Sequence, residues 1–168
     1  VSVTTLDNAT SRAMEPRVPL PAVRLRAIRA LTEAGIDVRV MVSPVVPALT
    51  DHELEAILKA AAEAGAVAAS SIVLRLPREV AGLFRDWVAE TYPDRAARIM
   101  GRVRELHGGM DYDPAFGTRM TGQGEWARLL RQRFDLAARR LGLDRRLPPL
   151  RTDLFAAPPR AGDQLSLL

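Results

Sequence analysis

The chain has 168 residues, of which 48% are apolar and 26% charged, and its net charge is +4. That balance is typical of a globular domain with a single hydrophobic core. Because cysteine is absent and only two histidines occur, the chain's own residues exclude disulfides, thiolate catalysis, zinc ribbons and cysteine-ligated iron–sulfur clusters. No apolar run is long enough for a membrane span and no secretory signal is recognisable, so we expect a cytoplasmic protein.

Strands and helices alternate through the first 77 residues. Apolar and β-branched residues at alternate positions predict a strand at residues 1–7. A proline-containing loop leads to a helix at 22–34, which Gly35 ends. The remaining predicted elements are a strand at 36–46, a helix that begins after residue 53, and a strand at 66–76. Thr50 and Glu53 have the spacing of a capping box for that second helix.

The tripeptide Glu-Ala-Gly ends a predicted helix and precedes a predicted strand twice, at residues 33–35 and 63–65. Alternating strands and helices with short loops predict parallel strands joined by right-handed crossovers. Such a sheet either closes into a barrel or stays open as a doubly wound sheet. Three strands alone would leave their edges unpaired, so we expect a missing upstream segment or a second chain to complete the sheet.

Beyond Pro77 the pattern becomes helical. The predicted helices cover 80–90, 93–107 and 126–141, with a glycine-rich loop at 110–124. From Pro148 onwards prolines replace periodicity, so we expect a mobile tail. Between Arg119 and Arg160, ten arginines stand against four acidic residues. This excess suits a phosphate backbone or an acidic partner, but it is equally typical of a solvated helix face.

The side chains expected on the inner wall of the strands are unusually polar. In parallel βα units, ligands lie at the carboxyl ends of the strands. Alternation places on that wall Ser2, Thr4 and Leu6, then Arg39, Met41 and Ser43, and then Ser71, Val73 and Arg75. Hydroxyls and two arginines suit a cavity for a polar, partly anionic ligand. Alternatively, these arginines pair with carboxylates on missing strands.

Several segments resemble one enzyme family. They are Val3-Thr4-Thr5-Leu6-Asp7 with Met14-Glu15-Pro16-Arg17 and Arg24-Leu25, then residues 34–51 with Val42-Ser43-Pro44, and then residues 66–77. In this order they resemble the fourth, fifth and sixth strands of radical S-adenosylmethionine proteins of the spore-photoproduct-lyase-like branch. Residues 112–134 resemble the carboxyl-terminal extension of an uncharacterised bacterial subfamily within that branch.

The resemblance implies a fold and a chemistry. The fold would be the C-terminal half, strands 4–6, of a partial (β/α)6 TIM-like barrel at 1–77, with a helical extension at 78–147 and a flexible tail at 148–168. In the family, a Cys-x3-Cys-x2-Cys motif holds a [4Fe–4S] cluster that cleaves S-adenosylmethionine to a 5′-deoxyadenosyl radical, in some members for nucleic-acid repair. Without cysteine, this chain would lack the cluster-binding half and would be inactive alone.

The resemblance also implies which residues form the second half of the cofactor site. Ser2 or Thr4 would lie near the ribose, and Glu15 and Arg24 would bind the ribose or the methionyl carboxylate. The ends of the next two strands, with Ser43 and Arg75, would line the adenine. Glu15 and Arg24 could instead be a loop hydrogen bond and a helix-surface charge.

The last five residues carry a second motif. Gln164, Leu165, Ser166, Leu167 and Leu168 resemble the pentapeptide by which bacterial DNA polymerases and repair proteins bind the sliding clamp. A flexible tail can present a glutamine to a polar subsite and leucines to an apolar pocket. The alternative function is therefore a non-enzymatic, DNA-associated module that binds the clamp. A terminal segment that packs on the domain remains the other interpretation.

Overall fold

The computed structural model describes residues 1–149 and 152–158. It is an α/β domain built on one sheet of three parallel strands in the order β1-β2-β3. The strands are β1 (Ser2–Val3), β2 (Arg39–Val45) and β3 (Ala68–Val73). The helices are α1 (Asn8–Met14), α2 (Pro21–Glu33), α3 (Leu54–Glu63), α4 (Val80–Thr91), α5 (Ala96–Leu106) and α6 (Gly124–Arg140). Short 3-10 turns, Asp51–Glu53 and Pro93–Arg95, precede α3 and α5.

The predicted half of a (β/α)6 barrel is wrong, because the sheet in the described residues is short and open. At one edge, β1 pairs with β2 through only two residues. At the other edge, the backbone of β3 is occupied by irregular segments on either side of α6. The Val73 amide donates to the Met120 carbonyl (3.0 Å) and the Ala69 amide to the Leu143 carbonyl (2.8 Å). These bonds pair two amides of this edge with loop carbonyls in place of a further strand.

The first loop contains a helix that the sequence pattern did not predict. Residues 8–14 form α1, and Asp7 caps it by accepting a hydrogen bond from the Thr10 amide at 2.7 Å. That bond is the first cause of a lowered pKa at the Asp7 carboxyl. Aspartate is a favoured N-cap residue, so Asp7 was the available signal. Because prolines follow from Pro16 onwards, the sequence pattern favours a loop here.

Apolar side chains form two clusters. The larger one lies between the sheet and helices α2, α3 and α6, and it includes Val40, Val42, Ile28, Leu58 and Leu130. The smaller one lies where β2 and β3 end, under α4 and α5, and it includes Val46, Leu76, Val88, Ile99 and Val103. Because parallel strands carry ligand sites at their carboxyl ends, α4 and α5 are positioned beside the region where a site is expected.

The register of the sheet corrects one predicted face. Paired residues of neighbouring strands point to the same side of a sheet. Met41 pairs with Ser2 and with Ser70, whereas Val42 pairs with Val3 and Ser71. Ser71 therefore lies on the helix-covered face with the buried valines, not beside Met41 as alternation from the sequence suggested. A register shift between Val42 and Val45 then changes the alternation again.

The capping box predicted at the start of α3 is also absent. The Thr50 hydroxyl accepts a hydrogen bond from the Val46 amide at 2.9 Å, and neither Thr50 nor Glu53 caps the helix through its side chain. Glu53 reaches back to the end of β1 instead. Across the described part of the chain, no helix combines the length and the apolarity that crossing a membrane would require.

Candidate functional site

A polar cluster lies at the carboxyl end of β1, and its members were all predicted from the sequence. The Thr4 hydroxyl, 3% exposed, donates to the Ser43 carbonyl at 3.0 Å and lies 3.3 Å from Oε2 of Glu15. Thr4 follows β1, Ser43 lies near the end of β2, and Glu15 follows α1. We call this group, together with Ser2 and Arg24, the Glu15 cluster.

Arg24 joins the cluster from the first turns of α2. Its Nη2 atom donates to Oε2 of Glu15 at 2.7 Å, and its side chain is only 10% exposed. Its Nε atom donates to the Pro19 carbonyl at 3.0 Å, and Nη1 donates to the Ser2 carbonyl at 3.1 Å. Each of the three guanidinium nitrogens therefore donates to the protein. In this geometry Arg24 holds Glu15 in place.

The two oxygens of the Glu15 carboxylate differ, because Oε2 has hydrogen-bonding partners among the described residues and Oε1 does not. Oε2 accepts from Arg24 and lies 3.3 Å from the Thr4 hydroxyl. Oε1 accepts no hydrogen bond from any residue that the structure describes, and the Glu15 side chain is 29% exposed to solvent. A fixed, partly exposed carboxylate oxygen is a suitable acceptor for paired hydroxyl groups of a ligand.

Glu53 stabilises the chain segment beside the Glu15 cluster, a contact that the sequence does not predict. Its carboxylate accepts from the Thr5 hydroxyl and, at 2.7 Å, from the Leu6 amide. Thr5 is 1% exposed, so these bonds fix the backbone directly after Thr4. No local pattern reveals this contact, because the two partners are 47 and 48 residues apart in sequence.

An apolar cavity of about 400 Å³ is lined in part by Met14 and Pro16, the neighbours of Glu15 along the chain. It lies between the end of α1 and the first turns of α4. Its wall consists of Ala13, Met14, Pro16, Leu74, Val80, Leu83, Phe84 and Trp87. Trp87 is anchored there by a hydrogen bond from its Nε1 atom to the Ala13 carbonyl at 3.2 Å. An apolar pocket of this size beside a few fixed polar groups is the usual form of a small-molecule site.

Arg75, the sixth predicted site residue, lies in a different group. Its Nη2 atom donates to the Tyr112 hydroxyl at 3.2 Å. The Tyr112 ring packs edge-on against His107, whose Nε2 lies 3.0 Å from the Leu74 carbonyl. Within the described residues, Nε of Arg75 and Nδ1 of His107 are buried without a hydrogen-bond partner. His107 is the C-cap residue of α5, and it is only 1% exposed.

The loop after His107 is ordered by its own side chains. Asp113 accepts from the Thr118 hydroxyl and from the Ala115 amide. The bond from Thr118 is the first cause of a lowered pKa at the Asp113 carboxyl. The loop thus places Tyr112 against Arg75. The residues of the predicted clamp-binding motif, Gln164 to Leu168, lie outside the described residues.

Comparison with known proteins finds similarity at the level of sequence. No family model matches the chain, and no solved structure matches it. Uncharacterised proteins of Mycobacterium bovis and of two strains of Mycobacterium tuberculosis are each 33% identical to it over 165 residues. These alignments cover 96% of this chain but 45% of each relative, so the chain spans about half the length of the curated relatives that it matches.

Proposed function

We propose that this chain supplies part of an S-adenosylmethionine-binding site in a radical S-adenosylmethionine protein. The observation that carries the proposal is the Glu15 cluster, which joins residues from β1, α2 and β2. The chain neighbours of Glu15, Met14 and Pro16, line an apolar cavity. Its place at the carboxyl ends of parallel strands is where α/β proteins bind their ligands. The sequence resemblance supplies the identity of the ligand, and the geometry supports a nucleoside-like one.

The residues present fit the nucleoside part of this cofactor. Oε1 of Glu15 can accept hydrogen bonds from the two ribose hydroxyls, and the cavity beside Phe84 and Trp87 offers apolar surface to a purine. Arg24 keeps the carboxylate oriented, and Thr4 links it to the backbone of β2. When bound and reductively cleaved, S-adenosylmethionine supplies a 5′-deoxyadenosyl radical that abstracts hydrogen from a substrate.

The residues present do not fit the [4Fe–4S] cluster of such proteins. Cluster irons are held mainly by cysteine thiolates, and the chain contains no cysteine. A cluster would need ligands from outside this sequence, so the proposal concerns cofactor binding alone. A cytoplasmic location belongs to the same proposal, because the site would depend on an intracellular supply of the cofactor.

Isothermal titration of the 168-residue chain with S-adenosylmethionine tests the proposal. We expect binding that adenosine competes for and that Glu15→Gln weakens by about tenfold or more, because a hydrogen bond to a charged group contributes about 1.5–3 kcal/mol. The matched control is Glu90→Gln, an exposed glutamate on α4 without an ion pair in the described residues. The proposal fails if the wild type shows no binding at millimolar cofactor, or if both variants bind as the wild type does.

A further inference from the structure

A second cavity, of about 550 Å³, has four arginines among the eight residues that line it. It lies between α5, α6 and the Asp51–Glu53 turn, and no residue of the Glu15 cluster lines it. The side chains of Arg95, Arg98, Arg102 and Arg133 contribute four guanidinium groups to its wall. The first three are spaced by three and four residues, which places them along one face of α5 and its preceding turn. We call this cavity the arginine basin.

Positive charge in the arginine basin exceeds the negative charge that faces it. Arg102 pairs with Glu105, and Arg133 pairs with Glu55 at 2.6 Å. In the part of the chain that the structure describes, Arg95 and Arg98 form no ion pair. The acidic residue in the wall is Asp51, which is 6% exposed and whose backbone carbonyl accepts from Arg133. Two guanidinium groups in the wall are thus without an ion pair among the described residues, and the four arginines outnumber Asp51, Glu55 and Glu105 by one charge.

Three of the four guanidinium groups are already held in place. Arg102 lies 4.8 Å over the ring of Trp126, and Arg95 lies 6.0 Å over Tyr92 while donating to the Ala48 carbonyl. Arg133 binds both carboxylate oxygens of Glu55. The first cause of the raised pKa of Arg133 is this hydrogen bonding. Groups that are held in advance lose little conformational freedom when a ligand binds.

The chemistry of the arginine basin fits phosphate. A guanidinium group offers a planar fork of donors that matches two phosphate oxygens, and arginine is the preferred residue for such contacts. A row of guanidinium groups along one helix face, in a basin of this size, suits a chain of phosphates better than one small anion. We propose that the arginine basin binds the phosphodiester backbone of a single nucleic-acid strand. This inference does not depend on the S-adenosylmethionine proposal.

Fluorescence anisotropy of a labelled single-stranded oligonucleotide, titrated with the full chain at low salt, tests this proposal. The test variant carries Arg95→Ala and Arg98→Ala. Its matched control carries Arg26→Ala and Arg29→Ala, which remove the same charge with the same spacing from exposed positions on α2. Arg98→Ala alone is included, since Arg95 also contacts Ala48 and Tyr92. A melting curve of each variant confirms that it is folded.

We expect the Arg95/Arg98 variant to bind about tenfold more weakly than the wild type and the α2 control to bind within about twofold of it. The slope of log affinity against log salt should fall by about 0.7 for each phosphate that the variant no longer neutralises. Arg98→Ala alone should show roughly half of both effects. An equal loss of affinity in the α2 control, or no binding by the wild type, would overturn the proposal. Displacement of the strand by millimolar inorganic phosphate, but not by chloride of equal ionic strength, would also overturn it and indicate a free-phosphate site.

Discussion

Glu15→Gln is the substitution whose effect on stability the structure defines best. It removes the charge that faces Arg24, whose side chain is 10% exposed, while Glu15 itself is 29% exposed. Breaking a fully buried ion pair costs about 3–5 kcal/mol, and an exposed pair contributes at most about 1 kcal/mol. The pair lies between these limits, and Arg24 keeps the carbonyls of Pro19 and Ser2 as acceptors. We therefore expect a decrease of about 1.5–2 kcal/mol in the free energy of unfolding.

Urea unfolding followed by tryptophan fluorescence measures this decrease. Trp87 reports on the region directly, because its indole is bonded to the carbonyl of Ala13 at the end of α1. A double-mutant cycle with Arg24→Met separates the pairwise interaction from other effects of each substitution, and we expect a coupling free energy of about 1–2 kcal/mol. A destabilisation of this size would lower the melting temperature by roughly 3–8 °C for a chain of this length.

Two results would refute this prediction. A coupling free energy near zero would mean that Arg24 and Glu15 do not form the pair in solution. A destabilisation by Glu90→Gln as large as that by Glu15→Gln would mean that removing any carboxylate destabilises the protein, since an isolated surface substitution should stay within about 0.5 kcal/mol.

Three further predictions concern other parts of the chain. The arginine partner of Glu55 lowers the pKa of that carboxyl, so Glu55→Gln should cost about 0.5–1 kcal/mol at neutral pH, allowing for solvent screening. The stabilisation from a lowered pKa is complete above the ordinary value of 4.5 and is lost as the pH falls through the lowered value, so chemical unfolding at several pH values should show this difference disappearing in acid. Gly65→Ala should lower the melting temperature by several degrees, because Gly65 has a φ of +100° and a Cβ atom there would lie 2.8 Å from the Thr32 side chain. Gly101→Ala should raise the melting temperature slightly, because Gly101 lies in a helix with open space around it. A labelled peptide of residues 158–168 should bind a bacterial sliding clamp, and the same peptide without residues 164–168 should not; an unchanged titration signal would contradict the motif.

The sequence was informative wherever local patterns decide the structure. Periodicity located the sheet strands and five of the helices, because apolar faces must repeat with the period of the element that buries them. It failed at α1, where the N-cap signal of Asp7 was weaker than the prolines that follow. It failed again at Glu53, because a side chain that bonds 47 residues away cannot be distinguished in sequence from a helix cap. The prediction of a barrel is wrong because the number of strands and the pairing at the sheet edges depend on residues far apart in sequence.

The candidate site residues show the same contrast between local patterns and long-range contacts. The backbone of Ser43 in β2 meets Thr4 just after the parallel strand β1, and Glu15 and Arg24 reach the same place from the end of α1 and from α2. Arg75 does not join them, because the register shift in β2 and the contact with Tyr112 direct it elsewhere. The arginine basin was missed for a related reason. The charge count pointed to residues 119–160, whereas most of its guanidinium groups come from α5 and the turn before it.

The Asp51–Glu53 turn connects the two proposed sites. On one side, Glu53 holds the backbone after Thr4 through the Thr5 hydroxyl and the Leu6 amide. On the other side, the carbonyl of Asp51 accepts from Arg133 in the arginine basin. A substitution in this turn would disturb both sites at once, and its effect on either ligand could not be assigned to one of them. Glu15 and Arg98 lie outside this turn and each belongs to one site alone, so substitutions at these two residues can test cofactor binding and strand binding separately.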